Sequence, residues 1–324
     1  MNNRLKYWNR IAKAYLLPTT SQLTFWHGEP EINFISDYEN PKEYFMKFHY
    51  KANYKGHFDN NGIPKLDYKG SLGMQYNPIA ISQYGLGNYN LFLNNGDESN
   101  FKKFHSVAKW LVTNLELNTK GIPVWHHNFD YEYKQKLKAP WYSGLAQGLG
   151  LSVLLRAYLE TKENMFLDSY NKAWISFTKQ INDGGIIYID KNKDPWIEEY
   201  IVSPPTHILN GFIWALWGVY DAWKMDNNNE AKILFNKCIK TLKLNISSYD
   251  NNYWSFYERS NTLVPMLASP FYHKLHIVQL KILGKISNED YFSKTAIKWE
   301  SYSKSFYKKN RALIGKALFK VFYY

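Results

Sequence analysis

Four long stretches of the chain are apolar at helical spacing and carry few charges. They cover residues 77–93, 142–160, 206–223 and 271–284. Four more polar stretches alternate with them, each with one apolar stripe and with Lys and Asn on the other face. These cover residues 101–117, 164–181, 229–246 and 290–306. Alignment on Gln83, Gln147, Gly211 and Leu275 places the apolar stretches at equal steps along the chain, which indicates an internal repeat.

The alternation predicts pairs of one buried inner helix and one amphipathic outer helix. Stacked pairs of this kind close into a ring. We therefore predict a mainly α-helical fold over residues 77–308, an (α/α) toroid or barrel of about four helical hairpins. Gly and Ala in the inner helices mark places where neighbouring helices approach closely.

Three long connections run from an outer helix to the next inner helix. They cover residues 120–141, 182–205 and 249–270. Their alternating and aromatic residues predict short β-hairpins. Each connection ends in a proline, Pro140, Pro205 or Pro270, which suits the first turn of a helix because its missing N–H costs nothing there. We expect all three loops at one rim of the ring, where helix N-termini favour an anionic ligand.

The two ends of the chain have different patterns. Residues 1–76 predict an N-terminal helix and a small β-rich segment packed on the toroid. Residues 309–324 mix Lys and Arg with large apolar residues at helical spacing. That pattern fits either a basic amphipathic tail on an anionic membrane or an ordinary last helix packed on the body. No signal-peptide pattern or spanning stretch is found, so we expect a cytoplasmic protein, peripheral to the inner face of the membrane if the tail binds there.

Charge and aromatic content narrow the class of partner. The 324 residues include 40 Lys and Arg against 28 Asp and Glu, a formal charge of +12, and 18% are aromatic. Such a charge favours anionic partners, and aromatic rings stack on sugars although most of them serve the core. The chain has no basic recognition helix, Arg/Gly-rich arm or zinc-finger spacing, so we expect no nucleic acid partner.

The sequence shows no complete set of metal ligands at a suitable spacing. The single cysteine, Cys238, excludes an internal disulfide and a cysteine-based zinc site, and its helical apolar context predicts a core residue. His273 and His276 would lie one turn apart on the last inner helix, but no third ligand follows at a suitable spacing. We therefore expect neither a metal nor a cofactor.

Tyrosines and an acid from separate repeats are predicted to meet at the rim. Glu199 and Tyr200 stand on the loop that enters the third inner helix. They would converge with Trp141, Tyr142, Tyr257 and Tyr272. A single tyrosine is usually a half-buried packing residue, so the functional signal belongs to the group and not to any one member.

Several of these stretches together resemble a known enzyme family, the D-glucuronyl C5-epimerases, in their catalytic domain. They are EEYIVSPPTHILNGFIWALWGVYD, QYNPIAISQYGLGNYN, SGLAQGLGLSVLLRAYLETK and FYHKLHIVQL, and the resemblance covers about residues 40–300 in the same order. That family converts D-glucuronate to L-iduronate within heparan-type chains. The resemblance therefore implies an epimerase of the isomerase class with an α/α barrel, and it also favours a homodimer.

The expected reaction explains why tyrosines are the candidates. Inversion at C5 removes a proton α to a carboxylate and returns it on the other face, so it needs two acid/base groups and a cation or donors at the carboxylate. A basic pocket would lower the tyrosine pKa from about 10 and make a phenolate available. The resemblance assigns catalysis to Tyr200 with Glu199, to Tyr257 beside Glu258, and to Tyr272, without deciding which residue serves which face.

The remaining candidates are polar groups near the same helices and loops, expected to bind substrate. They are Tyr84, Tyr142, Gln147, Arg156, Asn210, Arg259, His273 and His276. Gln147 and Asn210 either hold sugar hydroxyls or make core hydrogen bonds, and Arg156 pairs with a sugar carboxylate or with Glu160. The two histidines bind the uronate carboxylate or serve polar packing. Arg259 stands one position nearer the tyrosine than the basic residue of the family pattern.

Two other functions stay open. A polysaccharide lyase shares the C5 proton abstraction and then eliminates the 4-linked sugar, whereas a non-catalytic acidic-glycan-binding protein would use the same surface. A glycoside hydrolase fits less well because it needs two carboxylates, and Glu199 is the one compelling acid. We expect the substrate to be an acidic polysaccharide, such as a bacterial surface polysaccharide, or its lipid-linked or nucleotide-linked precursor.

Overall fold

The computed structural model describes residues 25–134, 136–260 and 262–323, so the expected N-terminal helix falls outside it. Helices dominate the described residues. The α-helices are α1 (His49–Ala52), α2 (Pro78–Asn95), α3 (Glu98–Thr113), α4 (Gly144–Thr161), α5 (Asn164–Thr178), α6 (Leu209–Asp226), α7 (Asn229–Asn245), α8 (Pro270–Ile286), α9 (Asp290–Lys304) and α10 (Phe306–Tyr323).

Short strands lie in the N-terminal segment and in the loops. They are β1 (His57–Phe58), β2 (Pro64–Asp67), β3 (Met74–Gln75), β4 (Leu115–Leu117), β5 (Pro123–His127), β6 (Tyr131–Glu132), β7 (Lys136–Leu137), β8 (Trp141–Tyr142), β9 (Ile187–Ile189) and β10 (Pro195–Ile197). Strands β1, β2 and β3 form one antiparallel sheet and β4, β5 and β8 another, while β6–β7 and β9–β10 are antiparallel hairpins.

Helices α2, α4, α6 and α8 are the inner helices, and each packs against the next one in chain order. They are buried on nearly all sides over most of their length. Helices α3, α5, α7 and α9 bury one stripe each, against the inner helix that precedes them. This arrangement confirms the predicted α/α fold of helical hairpins. Cys238 on α7 is buried, as expected of a core residue.

The backbones of α4 and α6 are in direct contact at glycines. A β-carbon on Gly148 would overlap the backbone of Ala215, and one on Gly218 would overlap the carbonyl of Gly148. Two inner helices can approach this closely only where the side chain is a hydrogen atom or a methyl group. The close contact fixes α6, which presents the residues of the candidate site, against its neighbour.

The N-terminal segment bridges the inner helices at the two ends of the series. The Phe48 carbonyl lies against Gly87 of α2, and the Phe48 ring lies 6.3 Å from that of Trp214 on α6. The His27 ring lies 5.1 Å from the Phe271 ring on α8. This segment therefore covers the side of the ring between α2 and α8.

The predicted hairpins are present in two of the three rim loops. Strands β6–β7 lie in the first and β9–β10 in the second. The described part of the third loop pairs only through isolated bridges, from Asp250 to Ser255 and from Phe256 to Leu267. All three loops nevertheless run into the N-termini of inner helices.

The expectation that a proline opens each of these helices holds at one position. Pro270 is the first residue of α8. It was wrong for Pro140 and Pro205, because further residues separate each proline from its helix. Strand β8 follows Pro140 before Ser143 caps α4, and the segment from Thr206 to Ile208 separates Pro205 from the start of α6.

The C-terminal residues form one helix that lies on the body of the protein. Helix α10 begins before residue 309, so the expected tail boundary falls inside it. Arg311 lies 4.1 Å from the centroid of the Tyr253 ring, and Lys308 lies 4.2 Å from that of Tyr302. Phe319 is fully buried. None of the helices within residues 25–323 combines the length and the apolar character that a bilayer crossing requires.

Candidate active site

The segment that enters α6 carries two adjacent glutamates with different partners. Glu198 is fully buried, and its carboxylate accepts hydrogen bonds from the backbone N–H groups of Thr206 at 3.3 Å and His207 at 3.1 Å. His207 Nδ1 lies 2.5 Å from the same carboxylate. Glu198 therefore stabilises the loop that precedes α6. Its neighbour Glu199 contacts α6 itself.

Glu199 lies against the first turn of α6. Its carboxylate occupies the space that a side chain at Gly211 would fill, and Asn210 donates from Nδ2 to Glu199 Oε2 at 3.5 Å. Burial raises the pKa of Glu199 to about 8, although a hydrogen bond with Tyr200 opposes the rise. A carboxyl group of this pKa is mostly protonated at neutral pH and gains or loses its proton just above it.

Three tyrosines from different parts of the chain meet beside Glu199. The rings of Tyr257 and Tyr272 lie 4.8 Å apart at an angle of 66°. Tyr200 lies close enough to both for their charges to influence its ionisation. Tyr200 and Tyr257 each keep 7% of their surface exposed, and Tyr272 is partly exposed. The structure thus brings together the four residues predicted as catalytic, at a place that reaches the surface.

Aromatic residues of the first rim loop line one side of Tyr200. Its ring centroid lies 4.8 Å from Tyr133, 5.7 Å from Trp141 and 6.1 Å from Tyr131. Trp141 is fixed by a hydrogen bond from Nε1 to the Phe129 carbonyl at 2.8 Å. Such a wall of rings suits a sugar, whose C–H faces stack on aromatic surfaces.

The structure overturns one expectation about the tyrosines. A basic pocket was expected to lower the tyrosine pKa, but the pKa of Tyr200 lies well above its ordinary value. Burial is the main cause, and the neighbouring Tyr131 and Glu199 add to it. Tyr200 therefore carries its proton in the resting protein, and any role as a base requires a partner that accepts this proton.

Two lysines that were not predicted from the sequence bring positive charge to the site. Lys134, between β6 and β7, contacts the carboxylate of Glu258, which also accepts a hydrogen bond from the Ser260 hydroxyl. Lys316 of α10 lies 5.7 Å from the ring centroid of Tyr257. Burial raises the pKa of Glu258 to about 7, against the Ser260 hydrogen bond and the charge of Lys316. Burial lowers the pKa of Lys134 to about 8.

Arg259 is directed away from the tyrosines. Its Nη1 donates to Asn245 Oδ1 at 2.7 Å, and its guanidinium lies 5.7 Å from the Trp196 ring and 5.9 Å from the Tyr249 ring. These contacts hold the third rim loop against α7. Arg259 stands one position nearer the tyrosine than the basic residue of the family pattern. Its contacts hold the loop and are not those expected of a carboxylate ligand.

The two histidines of α8 pack against the third rim loop and not against the tyrosine cluster. His273 is stacked on Trp254 with ring centroids 3.8 Å apart, and both histidines meet the Ser255 hydroxyl, at 2.8 Å and 3.0 Å. Burial lowers the pKa of His273 to about 4 and that of His276 well below its ordinary value. They are neutral packing groups here. The described residues contain no group of three or more His, Cys, Asp or Glu side chains placed to hold a metal ion.

Gln147 and Tyr142 also have partners inside the protein. Gln147 Oε1 accepts from the backbone N–H of Trp125 at 2.9 Å, and its Nε2 donates to the Ser176 hydroxyl at 3.0 Å. The Tyr142 hydroxyl donates to the Gly184 carbonyl at 3.0 Å. These bonds tie the first rim loop to α4, α5 and the second rim loop, which is the core role considered for Gln147.

Arg156 is fully buried and forms an ion pair with Asp221 of α6 at 2.5 Å. It also donates to the backbone carbonyls of Pro41 at 3.0 Å and Lys42 at 2.9 Å, so it anchors the N-terminal segment. The partner considered from the sequence, Glu160, instead accepts from the Tyr89 hydroxyl at 2.7 Å. Tyr84 packs against Phe58 with ring centroids 5.5 Å apart, beside the N-terminal sheet.

Sequence reasoning missed Lys134, Lys316 and the two tyrosines of the first rim hairpin. The hairpin had a usable signal, because Tyr131 and Tyr133 alternate on a strand-like stretch that leads to the same rim as Glu199. Lys316 had no comparable signal. Its stretch predicts a basic amphipathic helix, and this pattern does not show which side of the helix packs on the protein.

Comparison with known proteins identifies the family of this chain. The family model for the D-glucuronyl C5-epimerase C-terminus matches residues 119–301, which include the rim loops and three of the four inner helices. The chain belongs to the D-glucuronyl C5-epimerase family. All four of the converging residues, Glu199, Tyr200, Tyr257 and Tyr272, lie within the matched region.

Two relatives illustrate the extent of the similarity to this epimerase-family chain. A D-glucuronyl C5-epimerase of Caenorhabditis elegans is 33% identical over 224 residues, which cover 64% of this chain and 36% of that protein. An uncharacterized protein of Methanocaldococcus jannaschii is 30% identical over 189 residues, 57% of this chain and 60% of that protein. The matched part of the chain thus spans about one third of the first relative and three fifths of the second.

Solved structures align with the chain only at low identity. An unsaturated glucuronyl hydrolase from Bacillus sp. GL1 aligns with a TM-score of 0.47 at 11% identity, over 69% of this chain and 61% of that chain. A family 76 mannosidase from Bacteroides thetaiotaomicron aligns with a TM-score of 0.47 at 12% identity, over 72% and 60%. These similarities are too low to bear on the reaction of this family member.

Proposed function

We propose that this protein inverts C5 of D-glucuronate residues in an acidic polysaccharide or its precursor. The observation that carries the proposal is the meeting of Tyr200, Tyr257 and Tyr272 beside the buried carboxyl of Glu199, at the edge of an aromatic wall. Family membership supports the same reaction class.

The first step removes the C5 proton of the sugar. The pKa of Tyr200 is too high for a free phenolate at neutral pH. Its hydrogen bond with Glu199 gives the phenolic proton a group that can accept it. When Glu199 is ionised, it accepts the phenolic proton of Tyr200 while the Tyr200 oxygen takes the proton from C5. The C5–H electron pair moves toward the sugar carboxylate, whose charge a nearby cation must balance.

The second step returns a proton to the opposite face of C5. Tyr257 and Tyr272 are the candidate donors, because their rings contact each other and lie close to Tyr200. A phenol donates its proton to C5, a new C–H bond forms, and the phenolate is reprotonated from solvent at the exposed edge of the site. Glu199 then releases to solvent the proton that it accepted in the first step, which restores the starting state. The product is the L-iduronate residue, with the chain intact.

The same first step would serve a lyase, and the same surface would serve a glycan-binding protein. The decisive test is incubation of glucuronate glycans with the enzyme in heavy water, followed by NMR of the products. Deuterium at C5 without an unsaturated terminal sugar supports epimerisation. An unsaturated, ultraviolet-absorbing end would establish lysis instead. Binding without any exchange at C5 would leave the glycan-binding alternative.

The setting of the reaction is part of the same proposal. Expected substrates include surface polysaccharides and lipid-linked or nucleotide-linked uronate precursors, encountered in the cytoplasm at the inner face of the membrane. Exchange assays on each precursor class and on polymer would rank them, and light scattering of the purified protein would test the expected homodimer.

A further inference from the structure

We propose that Lys316 of the C-terminal helix, together with Lys134 of the first rim hairpin, binds the carboxylate of the sugar acid. The inference rests on the proposed function and adds to it a binding site built partly by a segment beyond the family-matched residues 119–301. It identifies the cation that the reaction requires and that the tyrosines and Glu199 do not supply.

Helix α10 brings Lys316 to the tyrosine cluster on its buried face. Its Nζ lies 5.7 Å from the centroid of the Tyr257 ring and 5.8 Å from that of Phe319, which is fully buried. One turn earlier, Ala312 is buried, and Gly315 lies against Leu267 of the third rim loop. The helix is therefore held with this face inward, and Lys316 is only partly exposed.

Lys134 approaches the same cluster from the first rim loop. Its Nζ lies 5.4 Å from the ring centroid of Tyr133, which in turn lies 4.8 Å from Tyr200. It also contacts the carboxylate of Glu258, the residue next to Tyr257. Both lysines therefore lie at the cluster, one beside Tyr257 and one beside the ring that packs on Tyr200.

The local charge fits one incoming carboxylate. Lys134 contacts the carboxylate of Glu258, and the charge of Lys316 acts on the pKa of the same carboxyl group. A place where two ammonium groups converge attracts a carboxylate. Among the residues that the structure describes, Glu258 Oε2 has no hydrogen-bond partner, so a hydroxyl group of the same sugar could donate to it.

Other cations near the rim have different contacts. Arg259, the residue nearest to the family pattern in sequence, donates to Asn245 and lies over Trp196 and Tyr249. Arg156 is buried against Asp221. A carboxylate seated between Lys134 and Lys316 would have its negative charge, and the charge that develops when C5 loses its proton, balanced where the tyrosines meet.

Lys316→Met tests the site while it keeps the apolar stem that packs on Tyr257 and Phe319. Affinity is measured for a glucuronate-containing tetrasaccharide of the heparosan type and for its carboxyl-reduced form, beside the rate of C5 exchange in heavy water. We expect the wild type to prefer the carboxylated sugar at least about tenfold, which corresponds to about 1.4 kcal/mol, and Lys316→Met to lose most of that preference. Lys316→Arg should restore part of it.

Lys309→Met is the matched control, because Lys309 is exposed on the same helix. It should leave the preference unchanged. If Lys316→Met folds and keeps both the wild-type preference and the wild-type exchange rate, the inference is wrong although the proposed function stands. If the wild type shows no exchange but a Lys316-dependent preference, the reaction fails and the carboxylate site stands. A wild type that does not distinguish the two sugars overturns the site.

Discussion

At the scale of single residues, Glu199 affects both the proposed chemistry and the stability of the fold. The reaction needs its ionised form, whereas the folded state favours its protonated form. Its carboxyl is buried against α6, where burial raises its pKa from 4.5 to about 8. The folded state therefore holds this proton more tightly than the unfolded chain does. Between these two pKa values, the free energy of unfolding falls as the pH rises.

Replacing Glu199 by Gln should separate the two effects. The amide cannot accept the phenolic proton of Tyr200, so we expect C5 exchange to fall by about 10²–10⁴-fold. The same variant should be more stable than the wild type at pH 8 by up to about 4 kcal/mol, with little difference near pH 4.5, because it has no buried charge to form. Urea unfolding at both pH values checks the stability.

The pH profile of the wild type belongs to the same prediction. If Glu199 must be ionised, the rate of C5 exchange should rise with pH up to about 8, because the ionised fraction of this carboxyl follows its raised pKa. A rate that stays flat from neutral pH to well above the pKa of Glu199, or full activity of the Glu199→Gln variant, would remove Glu199 from the proton path.

Gly211 gives a second test at this scale. A β-carbon there would overlap the Glu199 side chain, so Gly211→Ala should displace the carboxylate and reduce exchange by up to about 10²-fold. An alanine in a helix is otherwise favoured over glycine by about 1 kcal/mol. In a Glu199→Gly background these contacts disappear, and Gly211→Ala should then be neutral or stabilising in thermal unfolding. Equal destabilisation in both backgrounds would show that Glu199 does not fill the space.

At the scale of elements, helix α10 has two distinct faces. The inward face holds Phe319 and Lys316 against the third rim loop, as described above. The outward face exposes large apolar side chains beside lysines. Phe306 is 84% exposed, Tyr307 72%, Ile314 63% and Leu318 51%. An apolar strip with basic residues beside it is the pattern of a helix that lies on an anionic bilayer.

We expect the protein to sediment with vesicles that contain phosphatidylglycerol and not with pure phosphatidylcholine vesicles. Replacing Ile314 and Leu318 by Ser should reduce the bound fraction several-fold, because both insert apolar surface. Leu244→Ser on α7 is the matched control, since Leu244 is 62% exposed and far from α10 in sequence. Binding that is insensitive to the Ile314 and Leu318 changes, or equal on neutral vesicles, would contradict a membrane role for this face.

At the scale of the whole molecule, the sequence predicted the helical hairpins because each inner helix must bury nearly all of its sides. The same pattern placed Glu199, Tyr200, Tyr257 and Tyr272 near one rim. It could not show which way a polar side chain turns. Gln147, Arg156 and His273 are polar residues on inner helices, and local hydrogen bonds direct each of them into the core. Lys316 was missed because its position depends on how α10 docks.

The convergence of the tyrosines remains the central claim, and C5 exchange in heavy water tests it most directly. NMR would follow deuterium at C5 of a glucuronate glycan with the wild type and with the Tyr200→Phe, Tyr257→Phe and Tyr272→Phe variants. We expect incorporation by the wild type without an unsaturated end, and a loss of about 10²–10⁴-fold for variants that remove an acid or base. Exchange at the wild-type rate in all three folded variants would contradict the account.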